Sequence, residues 1–107
     1  MATSLDFIEY VCEQIAGTGA VAYKKMFGEY MVYVNAKPVL LVCDNTVYVK
    51  KLDCVKSEME NAEIGTPYPG AKPHYILDID NAEFSRHIIS ILEHVTAIPK
   101  PKKKNNG

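Results

Sequence analysis

Three histidines, three cysteines and four serines are the side chains in this 107-residue sequence from which a catalytic or metal site could be assembled. Glu83 and His87 stand four apart, the spacing that puts two ligands on one face of a helix. His94 lies two turns further on, His74 is remote in sequence, and no cysteine or carboxylate completes a tetrahedral set. Surface and helix-end roles fit these residues better, His94 suiting the negative end of a helix. Ser90 and His94 are one turn apart but have no orienting acid or oxyanion donors beside them, and no serine sits in a Gly-x-Ser-x-Gly elbow. Gly28, Gly65 and Gly70 lack the spacing of a phosphate-binding loop. Cys12, Cys43 and Cys54 are odd in number and form no Cys-x-x-Cys pair, which argues for reduced, mostly buried thiols. A redox sensor would fall on Cys54, next to Asp53 and near Lys51 and Lys56, and would need a depressed pKa. The sequence therefore predicts no catalytic residue, no cofactor and no metal ion.

What remains is a surface. Lys24, Lys25 and Phe27, together with Tyr68 and Lys72, form a candidate basic and aromatic interaction patch for an acidic protein segment or a nucleic acid. Strand alternation sends Lys24 and Lys25 to opposite faces, which weakens a two-lysine clamp. Structural roles compete at every position: Phe27, Met26, Tyr30 and Tyr75 suit a core, and Gly28, Gly70, Pro69 and Pro73 suit turns.

The elements that must hold these residues follow from periodicity. Thr3 or Ser4 caps a first helix with Leu5, Ile8, Cys12 and Ile15 at helical spacing, ended by Gly17. Segments 21–26, 30–34, 38–43 and 46–50 are short and rich in Val and Tyr, with connections too short for parallel crossovers, so they form an antiparallel meander. Residues 39–43 are apolar on both faces and predict a central strand, covered by helices on one side and by something else on the other. Tyr23, Tyr33 and Tyr48 fall on neighbouring strands, and if they share a face it is either a weakly covered sheet surface or a self-association surface for a homodimer. Residues 53–62 predict a short helix, 64–73 an ordered proline-glycine loop, and 75–78 a fifth strand. Asp80 or Asn81 caps a last helix with an apolar stripe of Phe84, Ile88, Ile91, Leu92, Val95 and Ile98. The fold class is α+β: a five-stranded, mainly antiparallel sheet flanked by N- and C-terminal helices in the order α-β-β-β-β-α-β-α, over residues 1–99.

Charge divides the chain. Four of its twelve basic residues, Lys100, Lys102, Lys103 and Lys104, occupy a basic tail at 100–107, which leaves 8 basic against 13 acidic residues before it, a formal charge of -5. An acidic body does not favour nucleic acid, although the tail could contact phosphates. No apolar run reaches the roughly 20 residues of a membrane span and residues 1–6 are not those of a signal peptide, so a cytoplasmic protein is expected.

Four ordered blocks carry a family resemblance: Tyr-Lys-Lys-Met-Phe-Gly-Glu-Tyr at 23–30, Leu-Val-Cys-Asp at 41–44, Val-Tyr-Val-Lys at 47–50 and Pro-Tyr-Pro-Gly-Ala-Lys-Pro-His-Tyr at 67–75. Together they resemble the N-terminal domain of the TfoX/Sxy family of bacterial competence regulators, over nearly the whole chain. The resemblance implies an antiparallel sheet flanked by helices and a cytoplasmic bacterial protein. Full-length members of that family are transcription coregulators with a second, C-terminal helical domain, so this chain resembles a single-domain relative, for which the resemblance supplies no catalytic residue. The leading expectation is a non-enzymatic protein-interaction module, a transcription-related adaptor binding a protein partner. The alternative is direct nucleic-acid binding through the tail with Lys24, Lys25 and Lys72, and a third reading is a small enzyme of unassigned reaction.

Overall fold

The computed structural model describes residues 3–26 and 29–96. Helix α1 (Leu5–Gln14) begins at Ser4, whose hydroxyl accepts a hydrogen bond from the Phe7 amide at 3.2 Å, one of the four donors a helix leaves unpaired at its start. Strands β1 (Val21–Met26), β2 (Glu29–Val34), β3 (Lys37–Cys43) and β4 (Thr46–Lys50) follow as antiparallel neighbours. Two of their connections are two-residue turns with both central residues at positive φ, Asn35 and Ala36 (54° and 67°) and Asp44 and Asn45 (52° and 55°). That is the hairpin turn whose twist matches the strands, and Asn and Asp tolerate it through their short polar side chains. Strands β5 (Ile64–Gly65) and β6 (His74–Ile76) complete a six-stranded sheet in the order β1-β2-β3-β4-β6-β5. Helix α2 (Ala82–Val95) is capped by Asn81, which accepts from the Phe84 amide at 3.1 Å.

Sheet register decides what each face carries. Cross-strand pairing puts Tyr30, Val32, Val34, Leu40, Val42, Val47, Val49 and Tyr75 on one face, all buried. They form one core with Ile8, Val11 and Ile15 of the α1 region and Ile88, Ile89 and Leu92 of α2. Both helices therefore lie on the same side of the sheet. Fastenings at the periphery hold them there. Thr3, which is buried, accepts from the Asn45 amide at 3.2 Å and donates to the Val42 carbonyl at 3.4 Å. Lys37 donates to the Glu93 carbonyl and carboxylate at 2.9 and 3.1 Å, which holds the end of α2 on the β2–β3 hairpin and keeps the Glu93 carboxyl below its ordinary range.

The α+β class, the antiparallel meander and the flanking helices agree with the sequence, while several details differ. The sheet has six strands, not five, because Ile64–Gly65 of the expected loop pairs with β6. The helix expected at 53–62 is only a 3-10 turn, Asp53–Val55, followed by further turns. Val55 and Met59 are buried as their helical spacing suggested, but a 3-10 segment followed by turns places both without a regular helix. In α2 the buried positions are Ser85, Ile88, Ile89 and Leu92, while Val95 is half exposed, so the stripe is rotated from the one expected. Ile98 and the basic tail fall outside the described residues, among which no helix is long and apolar enough to cross a membrane.

Two outcomes follow from this geometry. A non-glycine residue at Ala36 is in the left-handed region, where L-residues are strained by about 1–2 kcal/mol and glycine is not, although glycine recovers more freedom on unfolding. Ala36→Gly should raise stability by about 0.5–1 kcal/mol in urea unfolding, whereas a loss would show that the turn is unstrained. Cys43 is buried, and burial, with the Glu29 carboxylate adding to it, pushes its thiol up to about 12. Because the thiolate is the nucleophile, iodoacetamide at pH 8 should leave Cys43 unlabelled in the folded chain under conditions that label it completely in urea; equal rates in a peptide map would contradict this placement.

Candidate functional site on the uncovered sheet face

The second face of the sheet carries the alternate residues, and they are not the polar set that a solvated face requires. Lys24 pairs with Met31, Met31 with Leu41, Leu41 with Tyr48 and Tyr48 with Ile76, so one continuous row crosses five strands. The four members after Lys24 are apolar or aromatic, and each is partly exposed. Among the described residues no helix lies over this row, since both belong to the core on the opposite face.

A cavity of about 540 Å³ opens beside the row. It lies where β3 and β4 part. The two strands pair only from Leu41–Tyr48 to Cys43–Thr46, and β3 is bulged just before, Val39 being the extra residue between Leu40, paired with Val32, and Pro38, paired with Tyr33. A bulge bends its strand, and a proline is tolerated beside one because the ladder is already interrupted. Met31, Leu41, Tyr48 and Leu52 line the cavity on the strand side, and Leu92 and Val95 of α2 close its far end.

The two charged side chains that line this cavity, Lys50 and Lys72, are both cations. Lys50 and His74 are paired across β4 and β6, and Lys72 stands two residues before His74. His74 Nδ1 lies 2.8 Å from the Lys72 carbonyl. A carbonyl only accepts, so Nδ1 carries the hydrogen and the neutral ring presents Nε2 as an acceptor, which becomes a donor on protonation. The ring stands edge-on to Tyr48, at 6.3 Å and 87°. Burial, the largest cause, pushes the Tyr48 phenol up from its ordinary range, so it is a neutral hydroxyl at physiological pH. Among the described residues no carboxylate lines this cavity. A second cavity, of about 420 Å³ between the 58–63 segment and α2, is lined by Glu58, Glu63 and Asp78 and has the opposite sign. No group of three or more His, Cys, Asp or Glu among the described residues is placed to hold a metal ion.

The residues singled out in the sequence divide between separate places. Tyr68 and Lys72 line the larger cavity, positioned by a turn in which the Ala71 amide donates to the Tyr68 carbonyl at 3.0 Å and Gly70 takes φ 86°. Proline followed by glycine at the turn centre suits that geometry, and Pro67 is buried, so the loop is anchored. Lys24 sits on the same sheet face but on edge strand β1, four strand spacings, about 19 Å, from β6. Lys25 pairs with Tyr30 and so belongs to the opposite face. The structure does not bring these lysines together with Tyr68 and Lys72. On an edge strand, exposed lysines also discourage pairing with another chain. Phe27 lies outside the described residues. Tyr23 pairs with Val32 and stacks edge-on with Tyr30 at 5.5 Å, on the helix-covered side, whereas Tyr33 and Tyr48 occupy the other, so the three tyrosines do not share a face. Sequence reasoning did not select Met31, Leu41, Lys50 and His74; the signal available was the double-sided apolarity of 39–43, which left Leu41 without a helix to cover it.

A comparison with models of known protein families finds no match. Among curated proteins, the "Uncharacterized 12.7 kDa protein in trpE 5'region" of Spirochaeta aurantia is 35% identical over 105 residues, covering 96% of this chain and 91% of the relative. At that identity and coverage the chain belongs to the same family as this Spirochaeta aurantia protein.

Proposed function

We propose that this chain is a non-enzymatic protein-interaction module of the bacterial cytoplasm that docks a protein partner on the uncovered face of its sheet. The observation that supports this reading is the row Met31–Leu41–Tyr48–Ile76, apolar across four strands and without a helix over it. Leaving such surface in water forgoes roughly 25 cal/mol for each Å² that burial would remove, and contiguous apolar patches on soluble domains mark places where something binds. Met and Tyr are enriched at the centres of such interfaces. Lys24 at one end of the row, with Lys50 and Lys72 toward the other, favours a partner segment that combines apolar anchors with acidic flanks. The resemblance of the 23–30, 41–44, 47–50 and 67–75 blocks to TfoX/Sxy N-terminal domains supports a transcription-related partner.

Met31→Glu and Leu41→Glu place a charge at partly exposed positions outside the helix-packed core, and cooperative thermal unfolding of each variant confirms that it is folded before binding is read. Capture of the partner from a bacterial lysate, with the wild-type chain as bait, should be lost in both variants. Retention of the same partner by both folded variants would overturn the reading. Sedimentation equilibrium separates a foreign partner from a second copy: a monomer mass at all concentrations is expected, and a dimer abolished by Leu41→Glu would assign the face to self-association instead.

A further inference from the structure

The larger cavity has the composition of a ligand site and not only of an interface. Its volume of about 540 Å³ lies within the roughly 300–1,000 Å³ of small-molecule pockets. Such pockets combine an apolar wall with a few convergent polar groups that fix orientation. Here the wall is Met31, Leu41, Leu52 and Val95, and the polar groups are Lys50, Lys72 and His74, gathered on the β4–β6 side with the Tyr48 ring beside them. In a body whose formal charge is -5 before residue 100, a cavity with two lysines, a histidine and no carboxylate among its described lining residues departs from the average surface. Net negative charge elsewhere repels anions in general, so this local reversal is selective for an anion that also has an apolar body to bury.

We propose that this cavity binds a small amphipathic carboxylate, a medium-chain aliphatic acid, with its chain against Met31, Leu41 and Leu52 and its carboxylate between Lys50, Lys72 and His74. The orientation follows from the two ends of the site. A carboxylate accepts charge-assisted hydrogen bonds from the two ammonium groups, with the His74 ring lining the same end of the cavity. Its alkyl chain covers the surface that the parting of β3 and β4 leaves open. The site goes beyond the docking of a protein partner and does not depend on it.

The test uses the purified full chain alone, so a negative result on protein capture and a negative result here are separable. Octanoate, 1-octanol and octylammonium are titrated separately, as is inorganic phosphate, while backbone amide resonances are followed by NMR. Octanoate should shift Met31, Leu41, Tyr48, Leu52 and His74 saturably, with octanol at least about tenfold weaker and octylammonium and phosphate weaker still. Lys50→Gln combined with Lys72→Gln, both at exposed side chains, should weaken octanoate about tenfold and leave octanol unchanged. Equal affinity for octanoate and octanol, or octanoate shifts confined to other regions, would overturn the proposal, and phosphate binding as tightly as octanoate would reduce the site to a simple anion site.

Discussion

Strand alternation imposes the constraint on which this structure depends. Successive side chains point to opposite faces, so a sheet apolar on both faces needs a layer on each. This chain has only two helices of more than one turn among its described residues, and both pack on the face of Val32, Val42 and Val49. The hydrophobic core is complete on that side. The other face keeps Met31, Leu41, Tyr48 and Ile76 in a row outside the helix-packed core, which α2 meets only at the cavities. Everything proposed about function follows from this one-sided covering.

A local irregularity turns the open face into something more specific. Were β3 and β4 paired over their whole lengths, the face would be a flat apolar surface with little power to discriminate. The bulge at Val39 and the end of pairing at Leu41–Tyr48 part the two strands and admit a cavity that reaches α2. The short strand β6 then brings His74 opposite Lys50, and the anchored turn at 68–71 delivers Lys72 beside them. Affinity would come from the apolar row and the cavity walls, and selectivity from the sign of the charges.

Much of this fold was legible in the sequence. Capping chemistry narrowed the helix starts to Thr3 or Ser4 and to Asp80 or Asn81, of which Ser4 and Asn81 make the bonds, and Asp44-Asn45 suits a hairpin because both residues tolerate positive φ, whereas Ala36 takes it without any such preference. The opposite placement of Lys24 and Lys25 also followed from alternation, and register confirms it. Other features are tertiary. A two-residue strand such as Ile64–Gly65 has no periodicity to read and exists only through its pairing with β6. Val55 and Met59 show helical spacing yet are buried from a 3-10 segment and turns, because spacing reports which residues face inward and not the path between them. The faces of Tyr23 and Tyr33 depend on register across strands, which neighbouring sequence positions do not encode. The cavity arises from a ladder that stops, and Lys50 and His74, 24 positions apart in sequence, meet only through that ladder.

The account stands or falls on whether the second sheet face is open in solution. Side-chain methyl NMR with a soluble paramagnetic agent measures this directly, since relaxation enhancement falls steeply with distance from solvent. The account predicts strong enhancement for the methyls of Met31, Leu41 and Ile76 and little for those of Val32, Val42 and Val49, their neighbours in the same strands or in the adjoining ones. Met31 and Leu41 as protected as Val32 and Val42 would mean that the face is already covered, and would contradict it.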